Sequence, residues 1–148
     1  HGYLFLNKLL SIFFFALLSL KKLSLANCYS LSSLEPISLL RNLECLILPS
    51  CYSLSKETLF SLEKLSKLRY LSIGNNPQLT QAELHDFLPR LNQVEVLSLA
   101  YSKTIDANIL NYLPPSLQVL YVENMPKLCA KTLMAFMEKN SSIQVIYE

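Results

Sequence analysis

An apolar pattern that returns every 23 to 26 residues is the feature of this sequence that most constrains its fold. Apolar residues occupy the first, fourth and sixth positions of five successive segments, which begin at Leu20, Leu43, Leu68, Val94 and Leu117. A sixth segment begins at Ile143, and successive starts lie 23, 25, 26, 23 and 26 residues apart. Such a period is typical of a solenoid, in which each segment stacks on its neighbours because it cannot bury its apolar side alone.

The spacing inside each segment predicts one strand followed by one helix. Around the fourth and sixth positions, alternation sends the apolar side chains to one face of a short strand and the intervening side chains to the other face. Helical spacing follows in three of the segments, at Leu59-Leu62-Leu65, Leu84-Phe87-Leu88-Leu91 and Leu133-Phe136-Met137. We therefore expect an α/β solenoid curved like a horseshoe, with a parallel sheet on its concave side and helices on its convex side.

Composition excludes several functional classes. The 148 residues match the size of one domain, and a net charge of +2 leaves no basic surface for nucleic acid or anionic membrane. Two glycines are too few for a phosphate-binding loop or a dinucleotide fingerprint. Leucine accounts for 34 residues, whereas charged residues make up only 16% of the chain, against an average of about 25%. The chain is therefore expected to be neither disordered nor a nucleotide-dependent enzyme.

The repeats resemble those of the leucine-rich-repeat superfamily over residues 20–148. The pattern Leu-x-x-Leu-x-Leu-x-x-Cys at 20–28 and 43–51 is similar to the cysteine-containing subtype of F-box substrate receptors. That resemblance implies a protein-binding module that selects targets for a ubiquitin ligase adaptor. Cys-Tyr-Ser-Leu at 28–31 and 51–54 also resembles repeats of plant-type immune receptors, so this alternative stays open.

Residues 1–19 form an apolar segment that precedes the first repeat. We interpret it as the helix of a partial preceding repeat, with Leu10, Phe13 or Phe14, and Leu17 facing inward. Two other interpretations remain. Residues 9–20 have the length of a signal-peptide core, and their Leu and Ser spacing loosely resembles a degenerate F-box. At both ends of the solenoid we expect other segments of a longer chain to cover the terminal leucines.

Neither the cysteines nor the histidines indicate a catalytic or metal site. None of Cys28, Cys45, Cys51 and Cys129 forms a Cys-x-x-Cys pair, and His85 lies on a predicted convex helix. Cys28 and Cys51 are one repeat apart, so their strands are close enough for a disulfide in an oxidising compartment. We favour reduced thiols, which indicate a cytoplasmic or nuclear protein rather than a secreted one. We expect no enzyme activity, no cofactor and no metal.

The intervening strand positions are the candidate binding residues, because they face away from the core. They carry mostly apolar and tyrosine side chains where a solvated sheet face is normally polar. The predicted set is Cys45, Ile47, Tyr70, Ser72, Val96, Ser98, Val119, Tyr121, Val145 and Tyr147. We expect this face to bind a protein or peptide, with Tyr70, Val96 and Tyr121 as anchors. A structural scaffold that packs only against other domains of a longer chain is the alternative from a different class.

Overall fold

The described residues form one six-stranded parallel sheet in which the strands follow one another in chain order. The computed structural model describes residues 12, 13 and 15–148. The strands are β1 (Lys22–Ser24), β2 (Cys45–Ile47), β3 (Tyr70–Ser72), β4 (Val96–Ser98), β5 (Val119–Tyr121) and β6 (Gln144–Ile146). Each repeat thus contributes one three-residue strand, which confirms the predicted parallel sheet of a leucine-rich-repeat solenoid.

The connections between strands carry short helices of two kinds. The α-helices are α1 (Lys56–Leu59), α2 (Gln81–Phe87) and α3 (Ala130–Lys139). The 3₁₀ helices span Ile37–Leu39, Phe60–Lys64, Leu88–Arg90 and Ala107–Asn111. Helix α2 shows how the sequence sets these bounds. Thr80 and Glu83 form a reciprocal capping box at its start, and Pro89 follows its end, where a regular α-helix cannot readily continue.

The core is one continuous cluster built from the repeat positions. The central strand leucines of β2 to β5, which are Leu46, Leu71, Leu97 and Leu120, are completely buried. The helical leucines pack against them from the other side, as the sequence predicts for Leu62. Each element therefore buries an apolar side that it could not bury alone, which is why the repeats stack.

The turn after each strand has the same backbone conformation in five repeats. The eighth residue of each repeat has a positive φ, at Asn27, Ser50, Asn75, Tyr101 and Asn124. In the next position, Asn76 accepts a hydrogen bond from the Cys51 amide at 2.8 Å and donates to the Leu48 and Ile73 carbonyls at 2.9 and 2.8 Å. The Asn76 side chain thus satisfies backbone groups of two successive turns.

The register of the sixth strand differs from the prediction by one residue. Val145 pairs with Leu120 and is buried with only 8% exposure, so it belongs to the core rather than to the concave face. Gln144 and Ile146 take the two outward positions instead. The prediction was wrong because apolar residues at 143, 145, 146 and 147 satisfy both registers, and only the pairing with β5 distinguishes between them.

The segment before the first repeat is only partly described. Residues 1–11 and 14 lie outside the described residues, so the three interpretations of the segment stay predictions. Leu17 is more than half exposed, which contradicts the inward orientation predicted for it. Phe13 is also more than half exposed, and Phe14, the alternative to it, lies outside the described residues. The repeats that follow do not cover the side chains of Leu17 and Phe13.

Candidate functional site: the concave face

The concave face consists of the outward side chains of the six strands, two per strand. Parallel pairing places Cys45, Tyr70, Val96 and Val119 in one row across β2 to β5. A second row contains Ile47, Ser72, Ser98 and Tyr121. Neighbouring strands lie about 4.8 Å apart, so each row forms a continuous line of side chains. The structure therefore brings eight of the ten predicted site residues together on one surface.

Two of these eight residues are less accessible than the sequence predicts. Ser72 and Ser98 expose only 8% of their surface, whereas the larger side chains of the two rows are half-buried. Small side chains in the middle of a sheet face lie below their larger neighbours, so they form a floor rather than a contact surface. Ser72 and Ser98 therefore lie on the predicted face but below its larger side chains, and their part in binding stays a prediction.

Two half-buried tyrosines, Tyr70 and Tyr121, lie on this face. Burial raises the pKa of Tyr70, and the neighbouring Tyr121, Cys45 and Glu123 raise the pKa further. Tyr70 is on β3 and Tyr121 is on β5, so the interaction crosses the intervening strand β4. The two rings therefore frame the floor formed by Ser72 and Ser98.

Tyr147 lies beyond the concave face. It follows β6, is 49% exposed, and lines an open groove of about 650 Å³ at the carboxyl-terminal edge of the sheet. Tyr101 and Lys103 line the same groove, and Met125 and Leu133 belong to its apolar lining. Strand alternation does not predict this groove, because most of its residues come from turns and from α3.

A smaller cavity of about 260 Å³ continues the concave face beyond the strand ends. Its lining includes Ser72 and Ser98 together with Gly74, Ala100 and Tyr101. An added Cβ on Gly74 would lie only 2.1 Å from the Ala100 carbonyl oxygen, so the backbones of the third and fourth repeats are in close contact here. Gly74 and Ala100 thus continue the floor of small residues that Ser72 and Ser98 begin.

Glu123 is a further residue of this surface that the sequence reading missed. It comes two residues after Tyr121, and the backbone pairing continues this far because the Tyr101 amide donates to the Glu123 carbonyl at 2.8 Å. Alternation therefore directs Glu123 to the same side as Tyr121. Extending the alternation two residues past each strand would have identified it.

Most charges near the sheet pair with one another at the opposite strand ends. Lys21 and Glu44 lie 3.5 Å apart, and Arg69 and Glu95 lie 3.7 Å apart. Each pair joins neighbouring repeats just before their strands begin. Exposed pairs of this kind contribute less than about 1 kcal/mol to stability. We therefore regard them as ordinary solvent-exposed ion pairs at the edge of the sheet.

No metal-binding group of three or more His, Cys, Asp or Glu side chains occurs among the described residues. His85 stacks on Tyr112 with ring centroids 3.8 Å apart, on the helical side of the solenoid. The four cysteines are unbridged, so the alternative of a disulfide between Cys28 and Cys51 is not realised.

Within the part of the chain that the structure covers, no helix has the length and apolarity needed to span a membrane.

The repeated strand, turn and helix define the class: this is a leucine-rich-repeat solenoid. A solved internalin from Listeria monocytogenes is similar to the chain, with 17% identity and a TM-score of 0.41. The similarity covers 88% of this chain and 47% of the internalin chain, so the protein spans about half the length of that chain. No family model and no curated protein matches the sequence. A similarity at this level says nothing about function.

Proposed function

We propose that this protein is a non-catalytic binding module that holds a protein or peptide partner on its concave face. The observation that carries the proposal is the pair of half-buried tyrosines, Tyr70 and Tyr121, framing a floor of small residues. Tyrosine is enriched among the residues that dominate protein interfaces, because its ring gives a large rigid contact area and its hydroxyl forms hydrogen bonds. The aliphatic side chains of Ile47, Val96 and Val119 extend this surface on either side.

Selection from a random peptide library displayed on phage tests the proposal. We expect peptides selected on the wild-type protein to lose at least about tenfold in affinity for the double variant Tyr70→Ala, Tyr121→Ala, since truncated interface anchors commonly cost 2 kcal/mol or more. Tyr112→Ala, on the helical side, is the matched control and should bind as the wild type does. Equal affinity of the wild type and the double variant contradicts concave-face binding.

The finer form of the proposal is substrate recognition within an F-box-type ubiquitin ligase adaptor. It is supported by the resemblance of the repeats at 20–28 and 43–51, in which Cys28 and Cys51 take the same repeat position. In this form the repeats select the target, and a separate segment recruits the ligase. Affinity purification with the full-length protein should then retain a cullin-ligase linker protein. Its consistent absence would remove the F-box assignment without affecting the binding role.

Two alternatives to the F-box form assume a different full-length protein. The repeat region of an immune-type receptor would require a nucleotide-binding domain upstream in the gene, so the upstream coding sequence decides it. A scaffold that packs against other parts of a longer chain is favoured by the exposed Phe13 and Phe15, which are 62% and 68% accessible. If Phe13→Ser with Phe15→Ser exposes a new protease site in the full-length protein, the scaffold role is supported.

The same proposal places the protein in the cytoplasm or nucleus. Its support is the unbridged state of the four cysteines, which is the usual state in a reducing compartment. A fluorescent fusion of the full-length protein checks this directly. Entry into the secretory pathway would contradict the assignment.

A further inference from the structure

Glu123 has a partly buried carboxylate at the end of the concave face. Its Oε2 atom is buried and has no hydrogen-bond partner among the described residues. By contrast, Glu44 and Glu95 at the opposite strand ends each have a basic partner on the neighbouring repeat. A buried carboxylate oxygen without a partner is costly, because it has lost water without gaining a donor. A donor from outside the chain removes this cost once the carboxylate turns toward it, because Oε2 is closed to solvent in this structure.

Glu123 forms no ion pair with another described residue, and two tyrosines lie on the same face of the sheet. Tyr121 lies on the same side of the chain two residues earlier. Burial is the main cause of the raised pKa of Tyr70, and the charge of Glu123 adds to it. Ala100 and Gly74 stand at the equivalent position of the two preceding repeats, so no bulky side chain fills the space beside the carboxylate. The Tyr101 amide donates to the Glu123 carbonyl, and Ala100 and Tyr101 line the 260 Å³ cavity, so Glu123 adjoins the turn that borders this cavity.

The helical side of the same molecule shows which group suits such surroundings. There the Arg90 guanidinium lies 4.6 Å from the centre of the Phe60 ring and 3.6 Å from a carboxylate oxygen of Glu63. A ring and a carboxylate together hold this guanidinium through cation–π attraction and the attraction of opposite charges. The concave face offers the same two groups in Tyr121 and Glu123, with Tyr70 as a second ring.

We propose that Glu123, Tyr70 and Tyr121 form a subsite for an arginine side chain of the protein or peptide that binds the concave face. Arginine fits better than lysine, because its planar guanidinium stacks on aromatic rings and donates two parallel hydrogen bonds to one carboxylate. The partner is therefore a basic segment with an apolar neighbour that contacts Val96 and Val119. This inference rests on the proposed binding function and specifies what that face selects.

The phage-selected peptides test the subsite. Peptides selected on the wild-type protein should be enriched in arginine at one position, and replacing that arginine with citrulline, which has the same shape without the charge, should weaken binding at least about tenfold. Glu123→Gln should bind the arginine peptide as weakly as the wild type binds the citrulline peptide, with no further loss when both changes are combined. Glu138→Gln, which removes a carboxylate from α3, is the charge-matched control and should retain full affinity.

The outcomes separate this inference from the function on which it rests. Peptides that depend on Tyr70 and Tyr121, but show neither arginine enrichment nor weaker binding to Glu123→Gln, overturn the subsite and leave the concave-face function intact. Equal enrichment of lysine and arginine overturns the specificity for a guanidinium. If no selected peptide depends on the two tyrosines, both proposals fail. Far-UV circular dichroism and the melting temperature of Glu123→Gln show whether the variant is folded, and we expect its stability to be unchanged or higher.

Discussion

Tyr101 occupies a backbone conformation that its side chain does not favour. Its φ is 64°, whereas the same turn position holds Asn at three other repeats and Ser at one. Left-handed backbone costs a residue such as Tyr about 1–2 kcal/mol, and Asn tolerates it better. Because 56% of Tyr101 is exposed, packing offsets little of this cost. Tyr101 lines both cavities at the strand ends. Because the residue does not favour this backbone conformation, its presence here indicates a role in binding rather than in stability.

We therefore predict that Tyr101→Asn raises the free energy of unfolding by about 1 kcal/mol, measured by urea denaturation. The reciprocal variant Asn124→Tyr, at the equivalent turn of the next repeat, should lower it by a similar amount. A loss of stability in Tyr101→Asn would mean that contacts of the ring outweigh the backbone strain.

Gly74 is required for a different reason, which is the close approach of two backbones. An added Cβ would lie 2.1 Å from the Ala100 oxygen and 2.9 Å from the Ala100 nitrogen. We predict that Gly74→Ala lowers the free energy of unfolding by about 2–3 kcal/mol, because the third and fourth repeats must separate to admit the methyl group. Thermal and urea unfolding both measure this loss in the free energy of unfolding.

The double variant Gly74→Ala, Ala100→Gly tests whether the clash involves the backbone or the side chain of Ala100. Since the clashing atoms belong to the backbone, removing the Ala100 side chain should give no rescue. Recovery of wild-type stability in the double variant would show that side-chain crowding, rather than backbone contact, excludes the methyl group.

At the scale of single elements, Asn76 fastens the turn after β3 to the turn after β2. Its side chain forms hydrogen bonds to the Cys51 amide and to the carbonyls of Leu48, Ile73 and Gly74. We predict that Asn76→Ala lowers the free energy of unfolding by about 2–3 kcal/mol, because buried backbone groups of both turns lose their partners. Ser102 takes the same position in the next repeat but forms no side-chain hydrogen bond with described residues, so Ser102→Ala should cost less than about 1 kcal/mol. Equal losses would contradict the bridging role.

Cys129 is the N-cap residue directly before helix α3, and the helix start changes the chemistry of its thiol. The backbone amides of Thr132 and Lys131 favour the thiolate and lower the pKa of Cys129, whereas burial raises the pKa of Cys51 and Cys45. The thiolate is the reacting form, so Cys129 should react at a lower pH than an ordinary thiol and ahead of the other two. Iodoacetamide labelling from pH 6 to 9, followed by peptide mass spectrometry, measures the order. Labelling of Cys51 at the same rate as Cys129 contradicts it.

The elements themselves could be predicted from the sequence to different degrees. The inward strand positions followed from the spacing of leucines, because only one register buries Leu46 or Leu71. In the sixth strand several adjacent apolar residues allowed two registers, and pairing with β5, which no local pattern reveals, selected the one that buries Val145. Alternation identified Tyr70 and Tyr121 in the same way.

The rest of the site depends on contacts between repeats. The burial of Ser72 and Ser98 reflects the size of neighbouring side chains on other strands. That Glu123 has a buried oxygen without a partner depends on which basic residues the adjacent repeats bring near it. Periodicity within one repeat carries neither kind of information, since both arise only when the repeats are stacked.

At the scale of the whole molecule, burial is unequal along the solenoid. In the first repeat Leu20, Leu23 and Leu25 are only partly buried, whereas the matching residues of the third and fourth repeats are almost completely inaccessible. In a solenoid, stability is close to a sum over repeats and their interfaces, so a strand with one neighbour is held less firmly than a strand with two. The sheet therefore opens from its edges rather than at all strands together.

We predict a gradient of amide hydrogen exchange along the sheet. Protection should be highest for amides of β3 and β4, whose central residues Leu71 and Leu97 are fully buried between two neighbours, and lowest for β1 and β6. Exchange followed by nuclear magnetic resonance, amide by amide, measures the free energy of each opening. Gly74→Ala should reduce protection in β3 and β4 first, because it separates these two strands. Equal protection in all six strands would instead show that the solenoid unfolds as one cooperative unit, in which the loss of any single interface destabilises every repeat.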